Sequence, residues 1–274
     1  MQLNGKSAII TGAARGLGRA CAVAFAAAGA DVVLVDIAAA LPEVGYPLGT
    51  AGQLEHTAEL CRVLGAAVLV AQADVRDPQG VARAVAAAVD RFGRVDVLVN
   101  NAGIAAPSGK PLHETTEEEW RLMLDVNLSG AYRFTKAVVP QMIASRRGSI
   151  INIASTAGLV GYRHFAGYVS AKHGLIGLTR ACALDYAPYQ IRVNALCPGS
   201  VRDDEEVEGR MLSEIARCLE VPVEEHEALF AEGQPMNRLI EPGDVASAAV
   251  WLASEASQRV TGTFVPVDGG FTAR

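Results

Sequence analysis

Tyr168 and Lys172 stand four positions apart in the stretch Tyr168-Val169-Ser170-Ala171-Lys172. On a helix that spacing puts both side chains on one face, about one turn apart. A free phenol titrates near ~10 and is a poor base at neutral pH. An ammonium close by favours the phenolate and lowers that pKa. The pair can then exchange a proton with an alcohol or a carbonyl. An isolated pair at this spacing is more often an amphipathic helix with a packed ring and a solvated cation, because both residues are ordinary in helices. The surrounding sequence decides between the two readings.

Residues 7–11 form a short apolar strand, and the glycine-rich turn Gly12-Ala13-Ala14-Arg15-Gly16-Leu17-Gly18 follows. An Ala-rich helix is expected over residues 19–28, ended by Gly29, and a second apolar strand runs over 31–35 with Asp36 at its end. Strand, glycine turn, helix, strand and acid in this order form a dinucleotide-binding pattern. Glycines let the backbone approach a pyrophosphate, and the helix N-terminus offers it free N–H groups. Asp36 can accept hydrogen bonds from ribose hydroxyls and would repel a 2′-phosphate, which favours NAD over NADP. Arg15 cuts the other way, since a basic residue in this turn can help to hold a phosphate. A tight β-to-α turn without a ligand is the bland alternative.

Taken together, Thr11-Gly12-x-x-x-Gly16-x-Gly18, Asn100-Asn101-Ala102-Gly103, Ser155 thirteen residues before Tyr168, Lys172, and Pro198-Gly199 resemble the short-chain dehydrogenase/reductase (SDR) family. The resemblance runs from about Lys6 to Phe271. It implies a single Rossmann-like α/β domain over 1–274, a doubly wound parallel sheet with helices on both faces. It implies NAD(H)-dependent interconversion of a secondary alcohol and its ketone. Tyr168 would exchange the hydroxyl proton, and Lys172 would depress its pKa and hold the nicotinamide ribose. Ser155 would orient the reacting oxygen and stabilise its developing charge. Asn127 would bind a backbone carbonyl and a water that completes the proton path; read from the residues alone, it could equally mark a helix irregularity. The cofactor would lie against Gly12, Arg15, Gly16, Leu17 and Gly18, then Asp36 and Ile37. Asp74 would hydrogen-bond the adenine amino group and Val75 touch the ring. Asn101, Ala102 and Gly103, and Pro198, Gly199 and Val201, would follow it toward the nicotinamide. Asn101 has an equal claim to a structural role between strands. Many members carry Thr two residues after that Val, where it holds the carboxamide; here Asp203 stands there, which leaves that contact open.

Residues 38–52 form an insert between the second strand and a helix expected from about Gln53 to Leu64. Its Pro and Gly residues break any helix, and it is long for an α/β connection. It resembles the insert of the mycofactocin-associated branch of the family, which is thought to clamp NAD. Tyr46 and Pro47 are then expected to cover the cofactor; a surface excursion without function is the alternative. Further strands are expected over 67–73, 95–99, 149–153, 190–197 and 263–268. Asp77 before Pro78 suits an N-cap for a helix over 78–92. Thr115-Thr116-Glu117-Glu118-Glu119 carries a capping-box signature for a helix that turns Trp120, Met123 and Val126 inward. The segment 159–167 borders the substrate, with His164 more simply a loop residue than a contact.

Residues 200–235 are expected to form a substrate lid with at least one amphipathic helix, its run Asp203-Asp204-Glu205-Glu206 a solvated face. The chain has 274 residues, half of them apolar and a fifth charged, with a net charge of -6. That balance suits one globular domain and gives no reason to expect nucleic acid or an anionic membrane. Neither a secretory signal nor a membrane span is expected. Cys21, Cys61, Cys182, Cys197 and Cys218 lack paired spacing and read as reduced thiols in the cytoplasm, with no metal site. The family implies a homo-oligomer, a tetramer or dimer, through helices near 116–139 and 169–186. A 3-oxoacyl reductase-like enzyme and a non-catalytic NAD sensor are the alternatives; Asp36 weighs against the first, and the presence of Tyr168 and Lys172 against the second.

Overall fold

The computed structural model describes residues 1–222 and 224–273. Runs rich in Val, Ile and Leu, buried on both faces in the central strands and only half-buried in the two edge strands, make a sheet of parallel strands. These are β1 (Ser7–Thr11), β2 (Asp31–Asp36), β3 (Val68–Gln72), β4 (Val97–Asn100), β5 (Gly148–Ile153), β6 (Ile191–Pro198) and β7 (Phe264–Val267). Their order is β3-β2-β1-β4-β5-β6-β7, and every pairing is parallel. The order reverses between β1 and β4, so the loops that leave those two strands diverge and open a crevice at their carboxyl ends.

Period-two alternation sorts the strand side chains into two cores. Ala8 and Ile10 pack with one cluster and Ile9 with the other. Helices α1 (Gly16–Ala27) and α2 (Ala51–Val63) cover the first face through Cys21, Phe25, Leu54 and Cys61. The opposite face receives α3 (Pro78–Phe92), α4 (Glu117–Leu124), α5 (Gly130–Ser145) and α6 (Ala166–Tyr186), through Val81, Met123, Phe134 and Cys182. Helices α7 (Met211–Cys218) and α8 (His226–Glu232) lie in the expected lid, whose Val223 falls outside the described residues. Helix α9 (Pro242–Ala253) returns to the first face.

The capping signals act as expected. Asp77 accepts from Gln79 N and Gly80 N, and Thr116 and Glu119 bond reciprocally. Several boundaries differ. Helix α1 begins at Gly16, because the glycines of the turn form its first turn; α2 begins at Ala51, because Thr50 caps it with Gln53 as partner. The insert holds one 3-10 turn, Pro42–Val44, where no helix was expected; Pro at its first position pre-sets φ. Met123 and Val126 are buried, but Trp120 is only half-buried. The cysteines are all free and buried.

At the amino end of the sheet Asp96 ties three segments together. One carboxylate oxygen accepts from Arg147 Nε and Nη2 at 2.9 and 2.5 Å. The other accepts from Arg94 Nε and from Ser7 N at 2.9 and 3.0 Å. The Asp96 side chain is 4% exposed, while both arginines are about half exposed and stay solvated when it is removed. Replacing Asp96 by Ala is therefore expected to cost about 2 kcal/mol, the worth of one lost charge-assisted bond set, read as a fall in the urea midpoint; a change below ~0.5 kcal/mol, within the range of ordinary surface substitutions, would contradict this role.

Candidate active site

A cavity of about 420 Å³ lies at the carboxyl ends of the strands. Its floor begins at the glycine turn. Gly12 has φ +67°, and a Cβ there would come within 2.9 Å of Ala102 Cα. A Cβ on Gly18 would meet Gly12 O at 1.9 Å. Gly18 is thus a packing residue and does not line the cavity, unlike Gly12, Arg15, Gly16 and Leu17. Above Gly16 there is open space, room for an anion at the start of α1.

Asp36 is buried at the end of β2 and accepts from Ala14 N and Ala38 N, both at 3.0 Å. These bonds fix the carboxylate at the cavity wall beside Ile37. Asp74 also lines the cavity, but it is gripped by Arg76, with Nη2 2.6 Å from one oxygen. Asn101 donates to Thr11 O and Gly12 O at 2.9 and 3.2 Å. Of its two expected roles, the tie between strand ends accounts for its side-chain bonds. Val75, Ala102, Gly103, Pro198, Gly199 and Val201 complete this wall.

The residues expected to be catalytic sit further along. Ser155 follows β5, and its Oγ accepts from Ala157 N at 3.1 Å. Tyr168 lies in the first turns of α6, with Lys172 one turn on. Lys172 is 4% exposed and donates from Nζ to Ile153 O at 2.9 Å. The same Nζ lies 5.5 Å from the centre of the Tyr168 ring. Asn127 sits in a π-helical turn, Asp125–Ser129, so the helix irregularity is real. That turn aims the amide inward: Nδ2 donates to Ile104 O and Met123 O, and Oδ1 accepts from Ile104 N, each at 3.1 Å. Ser155, Tyr168, Lys172 and Asn127 all line the one cavity.

Burial acts on both partners of the Tyr168–Lys172 pair. It pushes the Tyr168 phenol up to about 12, opposed by the Ser155 hydroxyl, and pulls Lys172 down to about 8. The expected depression of the tyrosine by the lysine is therefore absent from the protein alone. The physical reason is that the same low-dielectric wall favours both neutral forms, while the ammonium is directed at Ile153 O and not at the phenol oxygen.

The insert closes one side. Arg15 Nη2 donates to Pro47 O at 2.6 Å, and Tyr46 accepts from Ala105 N at 3.2 Å. Leu41, Tyr46, Leu48 and Gly49 line the cavity; Pro47 is exposed and contributes its carbonyl, which corrects its expected covering role. Residues of the expected lid line the other side. Gly16 N donates to Val207 O at 2.5 Å. Asp203 accepts from Leu212 N and Ser213 N at 3.1 and 2.7 Å, so it holds the start of α7 instead of offering a carboxamide contact. Asp204 accepts from Glu206 N and Val207 N. The first half of the acidic run is thus turn and cap chemistry, and only Glu205 and Glu206 are exposed as expected.

Sequence reasoning missed Arg19. It is 1% exposed, donates to Thr57 Oγ1 and Ala14 O at 3.0 and 2.8 Å, and pairs with Glu208 of the lid at 2.9 Å. Glu208 also accepts from Gln53 at the start of α2. A cation inside an Ala-rich buried helix was the available signal. The cavity is aromatic beside Tyr168: Tyr162 stacks on Phe271 at 6.1 Å and bonds Thr156 Oγ1 at 2.8 Å, and Phe165 meets Tyr168 edge-on. His164 lies outside the lining, with Nδ1 3.3 Å from Gly109 O, and reads as a loop residue.

Residues 12–272 match a family model described as enoyl-(acyl carrier protein) reductase. The chain is 39% identical to (-)-trans-carveol dehydrogenase of Rhodococcus erythropolis, over 100% of this chain and 99% of that relative. It is 39% identical to trans-4-hydroxycyclohexanecarboxylate dehydrogenase of Sinomonas cyclohexanicum, over 98% and 93%. The structure of carveol dehydrogenase from Mycobacterium avium in complex with NAD superposes with a TM-score of 0.92 at 36% identity, covering 100% of this chain and 99% of that one. The parallel sheet, the glycine turn and the Ser155–Tyr168–Lys172 site define a Rossmann-type oxidoreductase. The chain belongs to the short-chain dehydrogenase/reductase family.

The lysine gives a pH test. Folding lowers the Lys172 pKa to about 8, from an ordinary value near ~10.4. Between those values the unfolded chain binds the extra proton, so the lysine's contribution to stability rises with pH. The urea midpoint of nucleotide-free protein, minus that of Lys172→Met, should climb from pH 8 to pH 10. A flat or falling difference would contradict the buried, depressed lysine.

Proposed function

We propose that the protein is an NAD(H)-dependent oxidoreductase that interconverts an apolar secondary alcohol and its ketone. The observation that carries this reading is the convergence of Ser155, Tyr168, Lys172 and Asn127 on one cavity whose other end is the glycine turn and Asp36. The cradle fits a dinucleotide: open space above Gly16 takes an anion, and a fixed carboxylate at Asp36 takes ribose hydroxyls and disfavours a 2′-phosphate. The NAD-bound relative of the same fold supports the same cofactor.

When bound, NAD supplies the hydride acceptor for oxidation, and NADH the donor for reduction. The protein does the rest. Tyr168, protonated in the protein alone, gives its proton to the ketone oxygen; in the other direction its phenolate takes the alcohol proton. Positive charge from protonated Lys172 favours the phenolate, and Lys172 holds the nicotinamide ribose. Ser155 donates to the reacting oxygen and stabilises its developing charge. Asn127, fixed on Ile104 O, extends the proton path from Lys172. Gly12, Arg15, Leu17, Asp74, Val75, Asn101, Ala102, Gly103, Pro198, Gly199 and Val201 line the cofactor's length.

Tyr162, Phe165, Leu212, Ile215 and Phe271 make the substrate end apolar and aromatic. That lining suits a compact hydrocarbon alcohol, in keeping with relatives named for carveol and for a hydroxycyclohexane acid. The insert and the lid act as two straps over the cofactor, and Glu208 anchors the lid to Arg19 of α1 and Gln53 of α2. We further infer one domain, a cytoplasmic setting and a homo-oligomer, a tetramer or dimer. Five free buried cysteines support the cytoplasmic setting, and no helix among the described residues is long and apolar enough to cross a membrane.

Tyr168→Phe keeps the ring and removes the exchangeable proton. It should lower kcat by about 10³-fold while the dinucleotide still binds. Turnover retained to within about threefold, far short of a lost acid–base step, would sink the assignment.

A further inference from the structure

Tyr46 is a buried phenol with an unused proton. It is 9% exposed and comes from the insert. Its oxygen accepts from Ala105 N at 3.2 Å. No acceptor for its O–H is found among the described residues. Burial pushes it up to about 12, so the proton stays on at any working pH. A buried donor without an acceptor is costly unless something in the site completes it.

The surroundings narrow that acceptor. Tyr46 lines the cavity and has Arg15 of the glycine turn and the catalytic Tyr168 as electrostatic neighbours. Its hydroxyl is held at Ala105, just past Ala102 and Gly103 of the wall assigned to the cofactor. Glu214 of α7 is the nearby carboxylate, but it is paired with Arg217 at 2.7 Å and has no bond to Tyr46. Ala105 follows Ile104, which Asn127 holds on both sides. The phenol oxygen is thus fixed by the same strand-end loop that the catalytic amide fixes.

We propose that the Tyr46 hydroxyl is a cofactor-binding group, donating a hydrogen bond to a phosphate or ribose oxygen in the middle of bound NAD. The insert then does more than cover the site: it supplies one directed polar contact between the glycine turn and Tyr168. This rests on the dinucleotide reading above.

The test uses the purified protein with its dinucleotide bound, and its NAD content is measured first. A protein that never holds NAD would overturn the cofactor assignment, and this contact with it. With NAD present, replacement of bound NAD by isotopically labelled NAD is followed by mass spectrometry. Tyr46→Phe should exchange about tenfold faster, the effect of one lost bond to a strong acceptor, with KM for the alcohol moved by less than about twofold, since this contact spares the substrate. Exchange unchanged while KM rises would overturn the proposal and move the contact to the substrate. Exchange and KM both unchanged would overturn it as well. Replacing Tyr46 by 3-fluorotyrosine separates donation from the bond to Ala105, and serves if Tyr46→Phe does not fold. Fluorination makes the phenol a better donor and a poorer acceptor. Slower exchange supports donation to NAD; unchanged or faster exchange contradicts it.

Discussion

A lysine side chain with 4% exposure needs an acceptor, and here it is Ile153 O, the last carbonyl of β5, at 2.9 Å. Much of the site follows from that bond. It fixes α6 against the strand end, which places Tyr168 one turn back and beside the Ser155 that follows Ile153. The ammonium cannot extend to solvent, so burial lowers its pKa and raises that of the phenol above it. A site built this way keeps the phenol protonated and loosens the proton on Lys172 until a ligand arrives. Its acid–base state is set jointly by the fold and by the charge brought in with the cofactor.

Asn127 follows the same logic from the other side. A regular helix from α4 into α5 would turn its amide away. The π-helical turn Asp125–Ser129 inserts the extra residue that aims it at Ile104. Such insertions cost helix regularity and are found where a side chain must be redirected. Gly103 fits between: a Cβ there would meet Asn127 Oδ1 at 2.9 Å and Lys172 Nζ at 3.6 Å. Glycine is needed at that point for close approach, independent of any cofactor. At the far end Arg19 gathers the glycine turn, α2 and the lid around one buried guanidinium.

Much of this was legible in the sequence. Strand composition, the spacing of Gly12, Gly16 and Gly18, and the Asp77 and Thr116 caps are local signals, and local signals set the elements. Part of the cavity wall was legible because Asp36, Asp74, Asn101 and Gly199 stand at or just past the carboxyl ends of strands. What failed was long-range. Asp203 was read by its place after Val201, yet its partners are Leu212 and Ser213, up to ten positions on. Arg19 was passed over because its partners Thr57 and Glu208 are remote in sequence. The effect of Lys172 on Tyr168 was read from proximity alone; burial, which a sequence does not display, pushes the phenol up instead.

The central claim is that hydride moves between a secondary alcohol carbon and NAD inside this cavity, with Tyr168 handling the proton. The most direct measurement offers the NAD-bound protein a panel of apolar secondary alcohols deuterated at the carbinol carbon. The nucleotide is then analysed by mass spectrometry. The account predicts that at least one alcohol transfers its deuterium to the bound nucleotide. The Tyr168→Phe protein, still carrying NAD, should gain no label. Label gained equally by both proteins would contradict the role of Tyr168. A native protein that holds NAD and takes label from none of the alcohols would contradict the proposed reaction.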